Sequence, residues 1–88
     1  MKQTKRELIR RTMYMMTREL EPLAYDVVEQ LKALGKAYNI DVYDVEGIVN
    51  GEKVVVGTQL EDEWYLNKGF AQTDEYDEEK REWIFKRV

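Results

Sequence analysis

The 88-residue chain contains no cysteine and no histidine, and no serine occurs anywhere along it. Lack of thiols excludes disulfides and thiolate metal sites and fits a reducing compartment, so the expected location is cytoplasmic. Lack of His, Ser and Cys removes the commonest general base and the commonest nucleophiles. Carboxylates, Lys, Tyr and Thr remain. A carboxylate pair would need a substrate cleft, for which a chain of this length leaves little room beyond its core. The acidic runs also lack the alternating oxygen ligands and central glycine of a calcium loop. These absences lead to the expectation of a protein that is not an enzyme and uses neither cofactor nor metal.

Other scarcities bear on organisation. There is one proline and no Gly/Ser-rich stretch, which leaves no linker and implies a single domain over 1–88. No apolar run approaches the roughly 18 residues that span a bilayer, so no membrane association is expected. The opening MKQTKRELIRR is charged without a following apolar segment, unlike a signal peptide.

Charge is present but uneven. Residues 1–22 carry a net +3, residues 23–60 a net −3, and residues 61–88 a net −4. A basic head and an acidic tail could pair with each other or address different partners.

The spacing of Ile9, Met13, Met16, Leu20, Leu23, Val27, Leu31 and Leu34 predicts helix over about 4–35. Thr4 and Glu7 match an N-terminal capping box, and Gly35 is expected to end the run in a left-handed cap. Pro22 leaves two readings open. It either splits the run into a helical hairpin or kinks one long helix. A continuous helix would be about 45 Å long and would project beyond a domain with a radius of gyration near 12 Å. Its apolar stripe would then require a second chain.

After Gly35 the period falls to two, and Asn50-Gly51 between β-branched runs predicts a hairpin. With Val49 opposite Glu52, the register puts Gly47 opposite Val54, Val45 opposite Val56 and Tyr43 opposite Thr58 on one apolar face. Asp44, Glu46, Lys53 and Gln59 then form the polar face, and Gly47 marks a bulge or a close backbone approach. WYLNKGFAQ reads as a short strand, a turn at Asn67-Lys68-Gly69 and another extended piece. TDEYDEEKREWIFKRV has two readings, an acidic-first helix or an acidic loop leading into a final strand EWIFKRV. The strand is preferred. The expected class is thus α+β, with the helical segment packed on a small antiparallel sheet over about 38–88.

Function is expected to lie in binding. The turn Thr12–Met16 reads TMYMM and leaves no polar side, and methionine suits adaptable contact surfaces. Met13, Tyr14, Met15, Met16 and Leu20 are therefore candidate protein-interface residues. Trp64 and Phe70 join them as possible anchors, because aromatics dominate interface energetics. The expectation is a small regulatory or inhibitory protein-binding module, a homodimer through its N-terminal helices. One alternative is nucleic-acid binding through Lys5, Arg6, Arg10, Arg11 and Arg18. Another is an acidic nucleic-acid mimic, centred on residues 74–79, that blocks a basic groove of a partner.

Overall fold

The computed structural model describes residues 4–19 and 21–88. Two helices, α1 (Lys5–Glu19) and α2 (Tyr25–Tyr38), precede five strands: β1 (Val42–Val49), β2 (Glu52–Leu60), β3 (Glu63–Leu66), β4 (Phe70–Asp77) and β5 (Glu82–Arg87). The architecture is α+β.

Thr4 starts α1 as its cap: the Glu7 N–H donates to Thr4 Oγ1 at 3.1 Å, satisfying one of the free donors of the first turn. The continuous kinked helix does not form. Pro22 lies outside both helices, in a connector that follows a cis Glu21-Pro22 bond. That connector is bound to the sheet. Leu23 N–H donates to the Leu66 carbonyl at 2.8 Å, and Lys68 N–H donates to the Leu23 carbonyl at 2.6 Å. Helices of 15 and 14 residues replace the projecting rod, each about 20 Å long.

Gly35 is not the cap that ends α2. It is buried inside the helix, and a Cβ there would lie 2.6 Å from the Ile40 carbonyl and 2.8 Å from Val42 Cγ2. The left-handed residue is Asn39, at φ 56°, a type that tolerates this region, and the Ile40 N–H returns to the Gly35 carbonyl at 2.9 Å. Glycine is required where the chain doubles back against the helix, four residues before the turn itself.

The sheet order is β3-β2-β1-β5-β4. It is mixed rather than antiparallel throughout, because β5 joins β1 in parallel at Ile48 and Ile84. Asn50 and Gly51 have φ of 52° and 81°, as the tight hairpin turn demands. The expected register holds from Val49–Glu52 to Glu46–Val55 and then shifts. Val45 pairs with Gly57 and Tyr43 with Gln59, leaving Val56 as the extra residue of a bulge. Beyond it the faces exchange. Val42, Asp44, Thr58 and Leu60 share the side on which Lys32 of α2 pairs with Asp44 at 2.8 Å. Tyr43, Val45 and Gln59 share the opposite side.

Residues 75–88 form strand, turn and strand. The acidic stretch is loop only from Glu78 to Arg81, since β4 runs through Asp77.

Apolar packing is gathered in two places. At one end Met13, Leu23, Val27, Val28, Leu31, Ile40 and Leu60 bury the helices against the start of β1 and the end of β2. At the other, Val49, Val56 and Phe85 pack with Val54, Leu66 and Phe70. The molecule is accordingly long, 49 × 23 × 20 Å, with a radius of gyration of 14.6 Å against about 12 Å for a compact chain of this size.

Candidate functional site

The sheet curls, and all five strands contribute to a cleft of about 640 Å³. Its floor is Phe85 with Val45 and Gln59. Trp64 stands on one rim and Trp83 on the other, near Gln72, Thr73 and Asp74 of β4. Glu46 and Glu82 complete the lining.

Each aromatic is placed by strand register. Trp64 lies opposite Gln59 and leans over Gly57, where a Cβ would sit 3.0 Å from its ring. It meets Phe85 edge to face, with ring centroids 6.2 Å apart. Trp83 lies opposite Tyr76, a second edge-to-face pair at 5.1 Å. Despite these contacts Trp64, Tyr76 and Trp83 remain 42%, 44% and 56% exposed. Three large aromatics half open to water on one small sheet form an unusual surface, because such rings normally complete a core.

The cleft's charge is of one sign. Glu82 is met by Lys53 at 3.3 Å, whereas Glu46 and Asp74 have no ion-pair partner among the described residues. No Lys or Arg of the described residues lines it. Between Gln72 and Tyr76 the β4–β5 register breaks, and the Thr73 hydroxyl donates to the Ile84 carbonyl at 2.6 Å in place of a ladder bond.

The TMYMM turn is divided among different surroundings. Met13 is completely buried in the helical core, Met16 is half-buried against it, and Met15 is 56% exposed. Tyr14 is half-buried, its hydroxyl donating to Glu61 Oε2 at 3.4 Å. Leu20 lies outside the described residues. Trp64 belongs to the cleft. Phe70, the other aromatic named as an anchor, is half-buried in the second core, with the Arg87 guanidinium 5.2 Å above its ring.

Three of the five basic residues are engaged by their own fold. Lys5 lies 5.8 Å from the centre of the Tyr38 ring, Arg6 donates to the Asn39 carbonyl at 2.9 Å, and Arg10 Nε lies 2.8 Å from Glu61 Oε1. That last contact lacks hydrogen-bond geometry and acts as an ion pair. Arg11 and Arg18 stay exposed beside Met15 on the outer face of α1.

The Tyr14–Glu61 contact has a measurable consequence. Burial, and then the charges of Glu61 and Glu63, raise the Tyr14 pKa above its ordinary 10.0; burial first, with Glu63 adding, also raises Tyr65. A raised folded-state value means that the fold favours the neutral phenol. The associated stability is present below the unfolded value and is lost as pH rises through the folded value. The Asp41 carboxylate beside Tyr43 raises that phenol as well, so ultraviolet titration of tyrosinate is expected to show three groups ionising late, one of them absent in Tyr14→Phe, with unfolding stability declining above about pH 10. Ionisation of all six tyrosines at the ordinary value would contradict this packing.

The cleft was only partly visible in sequence. Trp83 and Phe85 alternate correctly for one face of a strand, but their neighbours Glu46, Gln59, Gln72 and Asp74 depend on the bulge and on the parallel insertion of β5. Among the described residues no helix is long and apolar enough to cross a membrane, and no group of His, Cys, Asp or Glu is arranged to hold a metal ion. Comparison with protein-family models, with curated proteins and with solved structures finds no match.

Proposed function

We propose that this chain is a non-catalytic protein-binding module of the cytoplasm, a small regulator or inhibitor that uses the cleft on its curled sheet to hold a protein partner. The observation that carries the reading is the exposure of Trp64 and Trp83 on the lining of one concavity, with Tyr76 half-exposed against Trp83. Indole and phenol rings supply large rigid contact area at low entropic cost, which is why they anchor interfaces. The cleft's volume falls within the range of small-ligand sites and is enough for a few side chains of a partner. A photo-crosslinking benzoylphenylalanine at position 83 is expected to give a defined adduct in cells, competed away by excess unmodified protein. The same group at position 30, on the exposed side of α2, should give none. Equal labelling from both positions, or adducts that resist competition, would remove the reading.

Self-association through α1 has its own support. Leu8 and Met15, two turns apart, are 50% and 56% exposed on one helix face. Met15→Glu places a carboxylate between Arg11 and Arg18, where helical spacing favours it, so the helix itself should be unharmed. Light scattering across a dilution series is expected to give a dimer for the parent chain and a monomer for the variant. A parent chain that is monomeric at every concentration would exclude the dimer.

A further inference from the structure

We infer that the cleft receives an arginine side chain from a basic, extended segment of the partner, whose backbone runs along β4. The inference rests on reading the cleft as a protein-binding surface and specifies the chemistry of what enters it.

Four observations converge on that occupant. Glu46 and Asp74 line the cleft without ion-pair partners among the described residues, where Lys53 is the one cation paired with a lining carboxylate, Glu82. A carboxylate-lined concavity repels anions, which sets aside phosphates and nucleic acid. Its carboxylates are not gathered as a metal site: no three acidic side chains among the described residues are close enough to hold an ion. A hard cation needs six or more clustered oxygens. A guanidinium does not; it is planar, stacks on indole faces and forks its donors toward separated carboxylates. Trp64 and Trp83 supply the ring surfaces, and Gln59 and Gln72 supply amide oxygens to the remaining donors.

The backbone of β4 argues for a peptide rather than a small cation. β4 is an edge strand, so the outer N–H and C=O groups of a strand eight residues long have no ladder partner among the described residues. An added strand would satisfy them. Phe70–Asp77 reads FAQTDEYD, with three carboxylates and no Lys or Arg. A second β4 from another copy would therefore bring like charges together, whereas a basic segment would not.

The test uses the full chain and a six-residue peptide alternating valine and arginine, with citrulline replacing arginine in a matched control. Citrulline keeps the shape and loses the charge. Binding is read by tryptophan fluorescence and by backbone amide shifts. Arginine peptide is expected to shift Trp64, Trp83 and Asp74, and citrulline to weaken binding by about tenfold or more. Asp74→Asn, at an exposed position that makes no ion pair among the described residues, should weaken the arginine peptide several-fold and leave the citrulline peptide unchanged. Trp83→Ala should weaken both.

Equal affinity for the two peptides would overturn the guanidinium assignment and leave the binding surface standing. Shifts centred on Glu78 and Glu79 with an unaffected Asp74→Asn would reduce the effect to net charge and overturn it as well. Failure of the arginine peptide to bind, with the adduct at position 83 intact, would overturn this inference alone. Loss of both would overturn the cleft as a protein-binding site.

Discussion

Gly47→Ala is expected to lower the unfolding free energy by about 3 kcal/mol, the upper part of the usual range for overpacking. A Cβ at this position would overlap the Phe85 ring and lie 3.2 Å from the Trp83 carbonyl. Phe85 is 6% exposed and closes the second core against Val49 and Val56, so it has little space into which to retreat. The carbonyl belongs to β5, and moving it would disturb the strand that β1 pairs with. Gly51→Ala provides the comparison. Its φ of 81° opposes a side chain, but nothing lies within 4 Å of the added methyl, so only backbone strain of about 1–2 kcal/mol is expected. Urea denaturation should rank Gly47→Ala as the more damaging, with a lower midpoint and an unchanged slope. The native tryptophan emission of Gly47→Ala should also change, because Phe85 touches Trp64. The reverse ranking would mean that β5 does not press on β1 as described.

Leu60→Ala is expected to cost about 2–5 kcal/mol, the transfer free energy of the lost methyl groups plus that of the cavity left behind. Leu60 is fully buried at the end of β2 and, with Ile40, joins the sheet's end to the helical core. Against a total stability of roughly 5–15 kcal/mol for a domain, this is a large share. The loss should be felt unequally. Both helices depend on the core that contains Leu60, whereas Trp64 and Trp83 surround Phe85 in the cleft. Thermal melting followed by helical circular dichroism is therefore expected to precede melting followed by tryptophan fluorescence in the variant, and the two are expected to coincide in the parent chain. Coincident transitions in the variant would show that the β1–β2 ladder couples the two cores rigidly.

Local chemistry made much of this fold legible in the amino-acid sequence. Thr4 and Glu7 marked a helix start, and Asn50-Gly51 marked a turn whose register is correct for the first four residue pairs of the hairpin. Legibility stopped where a distant element decided the outcome. The bulge at Val56 has no local sequence requirement; it lets the sheet face both the helices and the cleft, and it moved Thr58 to the side of Asp44 and Gln59 to the side of Tyr43, the reverse of what was expected. Gly35 carried the composition of a helix cap, but its need for no side chain comes from Ile40 and Val42 folding back on it. Pro22 was ambiguous because the apolar phase continues through it. The backbone bonds of Leu23 to Leu66 and Lys68, which hold the break open, come from residues more than forty positions away. The same limit applied to the cleft: Trp64 could be named as an anchor, whereas its pairing with Phe85 and the placing of Glu46 and Asp74 in one lining required the strand order. On α1 the structure separates two residues that the sequence named together as interface candidates. Met15 is exposed and Met13 is core, as the helical phase of the two positions allows.

The position of β5 also sets an order of events during synthesis. It is the last strand in sequence but the fourth across the sheet, between β1 and β4. A nascent chain can form both helices and the β1–β2 hairpin as soon as those residues emerge, since their contacts are local. The remaining edge of β1 then waits, unpaired, for residues 82–87 to be translated. An exposed strand edge flanked by Ile48 and Val49 is a template for pairing with other chains. A ribosome that pauses before residue 82 would hold the chain in the state most prone to aggregate, and rapid translation of the final acidic turn and β5 would shorten that exposure.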